Sequence, residues 1–300
     1  MLALGAPCVR AQDIVVADTR VFPESMTSTR DGSLIFGSFG KGAIYRAWPG
    51  DESARLWISP EVSGMTNVLG VLADEKSDTL YVCSVDANHA SQEIADRLSA
   101  LRTFSLAEGT PGSSYPMPGG SAAICNDIVV ARDGTVFVTD MKGGRVLRLR
   151  TQAQALEVWA ADPALTGADG IVMSADQKLY VTNVRQNTLL SIPILRSGKP
   201  GAVVTLKLSS PVESPDGFRL LKGGSFLLAE GGGRVDVVRV RGARATIAPI
   251  FRGKPGYTAV TVARGKVWVL NGKLPLRNRT DLSDDELGPF VAEAVDLPEP

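Results

Sequence analysis

The chain has 300 residues, 44% of them hydrophobic, enough to bury one large core. Its 32 Lys+Arg match its 32 Asp+Glu, so nothing in the charge points to a nucleic-acid or anionic-membrane partner. No apolar run is long enough to span a bilayer; the expected partner is a small molecule and the expected state a monomer.

Met1–Gln12 is apolar and rich in small residues, and Val9-Arg10-Ala11 resembles a signal-peptidase site. The stretch lacks a basic start and reads as the remnant of an export signal, which implies a periplasmic or secreted protein. A cytoplasmic protein with a frayed N-terminus is the alternative. From residue 13 onward, one short phrase recurs about six times with a period of roughly 42–46 residues. Each copy opens on a polar pair, runs through a few apolar residues, turns and forms a strand. In chain order the copies open at Pro23-Glu24-Ser25, Leu69-Gly70-Val71, Cys125-Asn126-Asp127, Ala168-Asp169-Gly170, Pro215-Asp216-Gly217 and Thr258-Ala259-Val260.

The strand that follows each opening is short and apolar: Ser33–Ser38, Thr79–Ser84, Thr135–Thr139, Lys178–Asn183, Ser225–Ala229 and Lys266–Leu270. Most have a further partner, as at Gly42–Trp48, Leu101–Leu106, Arg145–Arg150, Thr188–Ile192 and Arg234–Arg239. A fourth, more polar strand often follows, as at Ala155–Ala160 and Val203–Lys207. Four antiparallel strands per repeat without a long amphipathic helix predict an all-β chain: a six-bladed β-propeller filling residues 13–300 as one domain. Ile14–Asp18 is expected to close the ring beside Phe290–Leu297, because closure removes exposed sheet edges. The second repeat carries an insertion, Asp86–Ser99, with room for a turn or two of helix. Arg277–Leu287 is polar and reads as loop.

Cys8 lies in the leader. The other two cysteines, Cys83 and Cys125, do not make a disulfide framework and read as buried free thiols. A bridge between them, joining neighbouring repeats, is the alternative.

In a propeller the first residues of the innermost strands meet at the mouth of one axial channel. Here they are Glu24, Leu69, Asn126, Asp169, Asp216 and Thr258. The three carboxylates among them would repel and raise one another's pKa if left unpaired, and a hard divalent cation, which also accepts the amide oxygen, resolves that conflict. Calcium suits carboxylate and amide oxygens best; magnesium and manganese also fit, and zinc least, since no His or Cys ligand is offered. The plainer reading of each residue alone is turn chemistry, common at Asp-Gly and Asn-Asp pairs.

At Pro23-Glu24-Ser25, Asn126-Asp127-Ile128, Asp169-Gly170-Ile171 and Pro215-Asp216-Gly217 the chain resembles the SMP-30/gluconolactonase family of six-bladed propellers, relatives of the paraoxonases. The resemblance runs over essentially everything after the leader. It implies a divalent metal held by Glu24, Asn126, Asp169 and Asp216, which binds the carbonyl or phosphoryl oxygen of the substrate. Asp169 stands where the family usually has Asn. Ile124 replaces an Arg that sugar-lactone enzymes of the family often carry, and Leu69 stands about where paraoxonases have a histidine. The sole histidine, His89, lies in the insertion and reads as an exposed or lid residue rather than a base.

The expected activity is metal-dependent hydrolysis of a lactone or related ester, with a carboxylate activating water: Asp216 first, Asp169 second. Gly-x-Ser-x-Gly is absent and one distant histidine makes no triad. Met65, Leu69, Ile124, Met141, Phe218 and Tyr257 are the expected pocket lining, with inter-blade packing as the alternative for each. The apolar character of Leu69 and Ile124 favours a smaller or more hydrophobic lactone than a sugar acid. Two other functions fit the pattern: a non-catalytic NHL-like propeller that binds a ligand or partner, and a phosphotriesterase using the same metal site.

Overall fold

A computed structural model describes residues 13–86 and 99–297. The leader with Cys8, and the body of the second-repeat insertion with His89, lie outside the described residues. The chain is all-β and propeller-like. Three sheets are simple four-stranded antiparallel meanders. One holds Asn67–Asp74, Thr79–Val85, Ser99–Ser105 and Pro111–Pro116; the next Cys125–Val130, Val136–Asp140, Arg145–Leu149 and Glu157–Ala161. The third holds Ala168–Met173, Lys178–Asn183, Thr188–Pro193 and Val204–Thr205. A fourth sheet runs Pro215–Leu220, Phe226–Glu230, Arg234–Arg241 and Arg244–Arg252, with Lys207–Leu208 added in parallel at its edge.

The remaining sheet has eight strands. Pro23–Ser28, Leu34–Ser38, Ile44–Ala47 and Ser53–Ile58 form one side; Tyr257–Ala263, Lys266–Asn271 and Phe290–Asp296 form the other. Ile14–Val16 joins them. It pairs antiparallel with Phe290–Asp296, in the register Ile14 to Ala292 and Val16 to Phe290, and parallel with Ser53–Ile58. The N-terminal strand therefore closes the structure where the sequence places it. Phe22 and Phe290 meet edge-to-face across this closure, ring centres 5.1 Å apart.

The second strand of each meander reads as a continuous apolar run because both its faces are covered by neighbouring sheets. Leu34–Ser38, Val136–Asp140 and Phe226–Glu230 are buried throughout. The outermost strands Pro111–Pro116 and Val204–Thr205 are mostly exposed, and their sequences are correspondingly polar or small. Arg277–Leu287 is not all loop: Asp284–Leu287 forms one helical turn, capped by Ser283 with Glu286 in a reciprocal capping box. Among the described residues no helix is long and apolar enough to cross a membrane.

Cys83 and Cys125 form a disulfide, with Cα atoms 5.2 Å apart. This corrects the expectation of two free thiols. The two residues lie one repeat apart, so adjacent sheets place them at facing positions, a relation that a count of cysteines does not reveal.

Candidate metal centre

The first strands of the meanders, which we call inner strands, lie side by side in a closed cycle. They are Pro23–Ser28, Asn67–Asp74, Cys125–Val130, Ala168–Met173, Pro215–Leu220 and Tyr257–Ala263, the last against the first. Every one of them breaks register near its start. The breaks fall between Pro23 and Ser25, Val68 and Val71, Cys125 and Ile128, Ala168 and Ile171, Pro215 and Phe218, and Tyr257 and Ala259. The residues left out of the ladder are Glu24, Leu69-Gly70, Asn126-Asp127, Asp169-Gly170, Asp216-Gly217 and Thr258. A bulge bends the strand and re-aims its side chains, often beside a functional site. Asp169-Gly170 and Asp216-Gly217 are therefore strand bulges and not the turns that Asp-Gly suggests.

At three of the four two-residue bulges the facing residue ties the bulge to the next sheet; Ala229, facing Asp216-Gly217, has no side-chain group to do so. Thr139 donates to the carbonyl of Asp169 at 2.7 Å, and Thr182 to the carbonyl of Asp216 at 3.1 Å. Cys83 faces the Leu69-Gly70 bulge, and its tie is covalent, to Cys125, the residue before Asn126. One step further along the same strands, Asp140 accepts from the backbone N–H of Ile124 and Gly143. Asn183 donates to the carbonyls of Ala164 and Thr166. The loops that enter the bulges are thus fixed by side chains of the second strands.

Glu24, Asp169 and Asp216 come together: each offers a carboxylate oxygen, all within 4.8 Å of one another. Glu24 and Asp169 are buried and Asp216 keeps a partial opening. A cavity of about 10 Å³ lies among them, room for a single water-sized or ion-sized occupant. Asn126, Asp127, Arg219, Thr258, Ser25 and Gly70 line the same cavity. The amide of Asn126 hydrogen-bonds to Asp169, and Asp169 shares a hydrogen bond with Asp216.

The electrostatics follow from this packing. Burial, then the charges of Asp169 and Asp127, hold the Glu24 carboxyl well above the ordinary range, with Arg219 opposing. Burial and then Asp127 push Asp169 up to about 7, against hydrogen bonds from Asp216 and Asn126. Burial and the charges of Asp169 and Glu24 raise Asp216. Three acids driven to hold protons within 4.8 Å are an all-oxygen donor set that a hard divalent cation satisfies better than protons do. The residues present fit such an ion.

Two residues at the site have no role in the sequence reading: Asp127 and Arg219. Arg219 grips Asp127 in bidentate fashion, at 2.7 and 3.2 Å, across 92 positions of sequence. Burial disfavours the guanidinium charge, but Asp127, Glu24 and Asp216 outweigh it and raise the Arg219 pKa.

The expected pocket residues lie outside the lining of the acidic cavity itself. Phe218 packs against Phe226 in the core, and Tyr257 is fully buried with its hydroxyl on Glu293. Met65 packs among Ile35, Val68 and Leu80 and borders a separate small cavity, about 50 Å³, beside Arg102. Leu69 and Ile124 pack around Cys83 and Cys125. Met141 is partly exposed, its sulfur 3.8 Å from the Asn126 amide nitrogen. None of the six lines the acidic cavity.

Fold and site define a propeller with an acidic centre at its axis. The model of the SMP-30/gluconolactonase/LRE-like region matches residues 22–252, and the chain belongs to that family. No curated protein matches it. Solved structures share the fold at low identity. A proposed gluconolactonase superposes with a TM-score of 0.70 at 15% identity, over 98% of this chain and 96% of that one. The calcium-binding protein regucalcin from Agrobacterium tumefaciens gives 0.64 at 16%, over 97% of each. Virginiamycin B lyase from Staphylococcus aureus gives 0.62 at 10%, over 95% and 99%.

Proposed function

We propose that the protein is a divalent-metal-dependent hydrolase of a lactone or related ester. The observation that carries this reading is the convergence of Glu24, Asp169 and Asp216 within 4.8 Å at the cavity. Glu24, Asn126, Asp169 and Asp216 would hold the ion, calcium by preference. Bound there, the ion supplies a Lewis acid toward a substrate carbonyl. The chain's own groups do the rest. Asp216, the member of the trio with an opening to solvent, takes the proton from an attacking water and returns it to the leaving oxygen as the ester C–O bond breaks. Asp169, hydrogen-bonded to both Asp216 and Asn126, fixes the direction of that carboxylate. Glu24, only 5% exposed, serves as an anionic anchor.

Three further readings belong with this one. The cycle of inner strands, with the eight-stranded sheet divided at the parallel joint of Ile14–Val16 to Ser53–Ile58, supports six blades of four strands. The Cys83–Cys125 bridge supports an oxidising compartment and hence export. Membership in the family supports a small-molecule substrate.

The experiment is a calorimetric titration of chelator-stripped protein with calcium, magnesium, manganese and zinc, followed by lactones and phosphotriesters with the tightest ion. One ion per chain and turnover of lactones are expected. Failure to bind any of the four would remove the hydrolase mechanism, and preferred turnover of phosphotriesters would reassign the substrate.

A further inference from the structure

Four carboxylates line the acidic cavity: Glu24, Asp127, Asp169 and Asp216. One cation lines it with them, Arg219. Its side chain is 14% exposed and that of Asp127 is 6% exposed, so neither charge is solvated freely. Arg219 Nη1 donates to Asp127 Oδ2 and to the carbonyl of Phe218 at 2.9 Å, and Nη2 donates to Asp127 Oδ1. Asp127 also accepts from the backbone N–H of Ile171 at 3.0 Å. The pair thereby joins three consecutive inner strands of the cycle. Arg219 Nε is buried with no partner. A guanidinium kept in such a place with a donor unsatisfied does not serve packing alone, since an apolar side chain would fill the space without that penalty.

We propose that Arg219 is a built-in cation that sets how tightly the acidic centre holds its divalent ion. This rests on the reading of the centre as a metal site. A fixed positive charge lining the same water-poor cavity repels an incoming divalent ion and cancels the attraction of Asp127. With Arg219 in place, three carboxylates face the ion; without it, Asp127 becomes a fourth. The residue thus keeps the ion exchangeable. A structural clamp would behave oppositely, because loosening the strands that carry the ligands can only weaken binding.

The test is calcium affinity by calorimetry, with the ion-induced rise in Tm as a second readout, in wild type, Arg219→Met, Asp127→Asn and the double variant. Methionine keeps the apolar stem and removes the charge. Arg219→Met is expected to bind calcium about tenfold more tightly and to gain a larger ion-induced rise in Tm, although its ion-free form melts lower. Asp127→Asn, which leaves the guanidinium uncompensated, is expected to bind about tenfold more weakly. The double variant is expected to return toward wild type. Should Arg219→Met fail to fold, the Asp127→Asn comparison decides: equal or tighter binding overturns the proposal. Equal or weaker binding in a folded Arg219→Met overturns it as well. Wild-type protein that binds none of calcium, magnesium, manganese and zinc overturns the metal reading itself, and this inference with it.

Discussion

A Cβ on Gly170 would stand 2.3 Å from the carbonyl oxygen of Asp216, closer than any side-chain carbon can approach. Gly170 is not among the residues with positive φ, so its missing side chain serves close approach and not a turn. Gly70 does the same toward Asn126, with a built Cβ 2.2 Å from that carbonyl. These glycines let neighbouring inner strands draw together, and the acids beside them converge as a result.

Gly170→Ala should therefore damage the site as well as the fold. Overpacking of this kind costs about 1–3 kcal/mol, read as a lower urea midpoint. Forcing the strands apart also widens the spacing of Asp169 and Asp216, so calcium affinity should drop about tenfold. A variant that loses stability but binds calcium as wild type does would show that the acids are not a ligand set.

Much of this was legible in the sequence, for definite reasons. The strand pattern stands out because second strands such as Lys178–Asn183 are covered on both faces. Glu24, Asn126, Asp169 and Asp216 stand out because each inner strand bulges at the same step, so one repeat position supplies the axis. The Arg219–Asp127 pair leaves no periodic trace, since its partners sit two inner strands apart at different repeat positions. Phe218 and Tyr257 read as lining because they neighbour Asp216 and Thr258, yet the break in register sends the flanking residues back into the core. The helical turn Asp284–Leu287 did have a signal, Ser283 three residues before Glu286, hidden in a polar stretch.

Glu24→Gln tests the anchor. Glutamine keeps the size and removes the charge from a group buried to 5% exposure. The loss in calcium affinity should exceed the ~10–100-fold expected for an outer-shell partner, and hydrolysis should fall in step. The ion-free variant should be no less stable than ion-free wild type, because a carboxyl whose pKa is pushed up by burial is a strained group. Undiminished calcium binding would place the ion elsewhere.

Stability against pH gives a third test. Asp169, raised to about 7 from an ordinary 3.8, holds its proton in the folded chain over a range where the unfolded chain has released it. The folded state then binds more protons, so ion-free stability falls as pH rises from about 4 through about 7. Glu24 and Asp216 act in the same direction. Chelated protein should melt lower at pH 8 than at pH 5, and calcium should shrink or reverse that difference. Asp236, pushed to about 8 by burial and by Glu230, adds an ion-independent slope of the same sign. Asp236→Asn should remove that part and leave the calcium-sensitive part intact. A chelated protein that melts higher at pH 8 would contradict the whole assignment.

The disulfide makes the last prediction. Cys83 and Cys125 are 42 residues apart, and closing a loop of that length lowers unfolded-chain entropy by about 4 kcal/mol in the chain-entropy account. The Cys83→Ala/Cys125→Ala variant should lose stability of that order in urea. The bridge also takes the place that Thr139 and Thr182 fill with hydrogen bonds at the next two sheets, where each holds the backbone of an acid at the axis. Its removal should therefore free the backbone just before Asn126 and weaken calcium binding, whereas Thr182→Val, which loses one hydrogen bond of about 1 kcal/mol, should weaken it less. Calorimetry well below the Tm of each variant separates the two effects. If the bridge acts only through the unfolded chain, the folded double variant will bind calcium with wild-type affinity; a weaker Kd shows that it also positions Asn126.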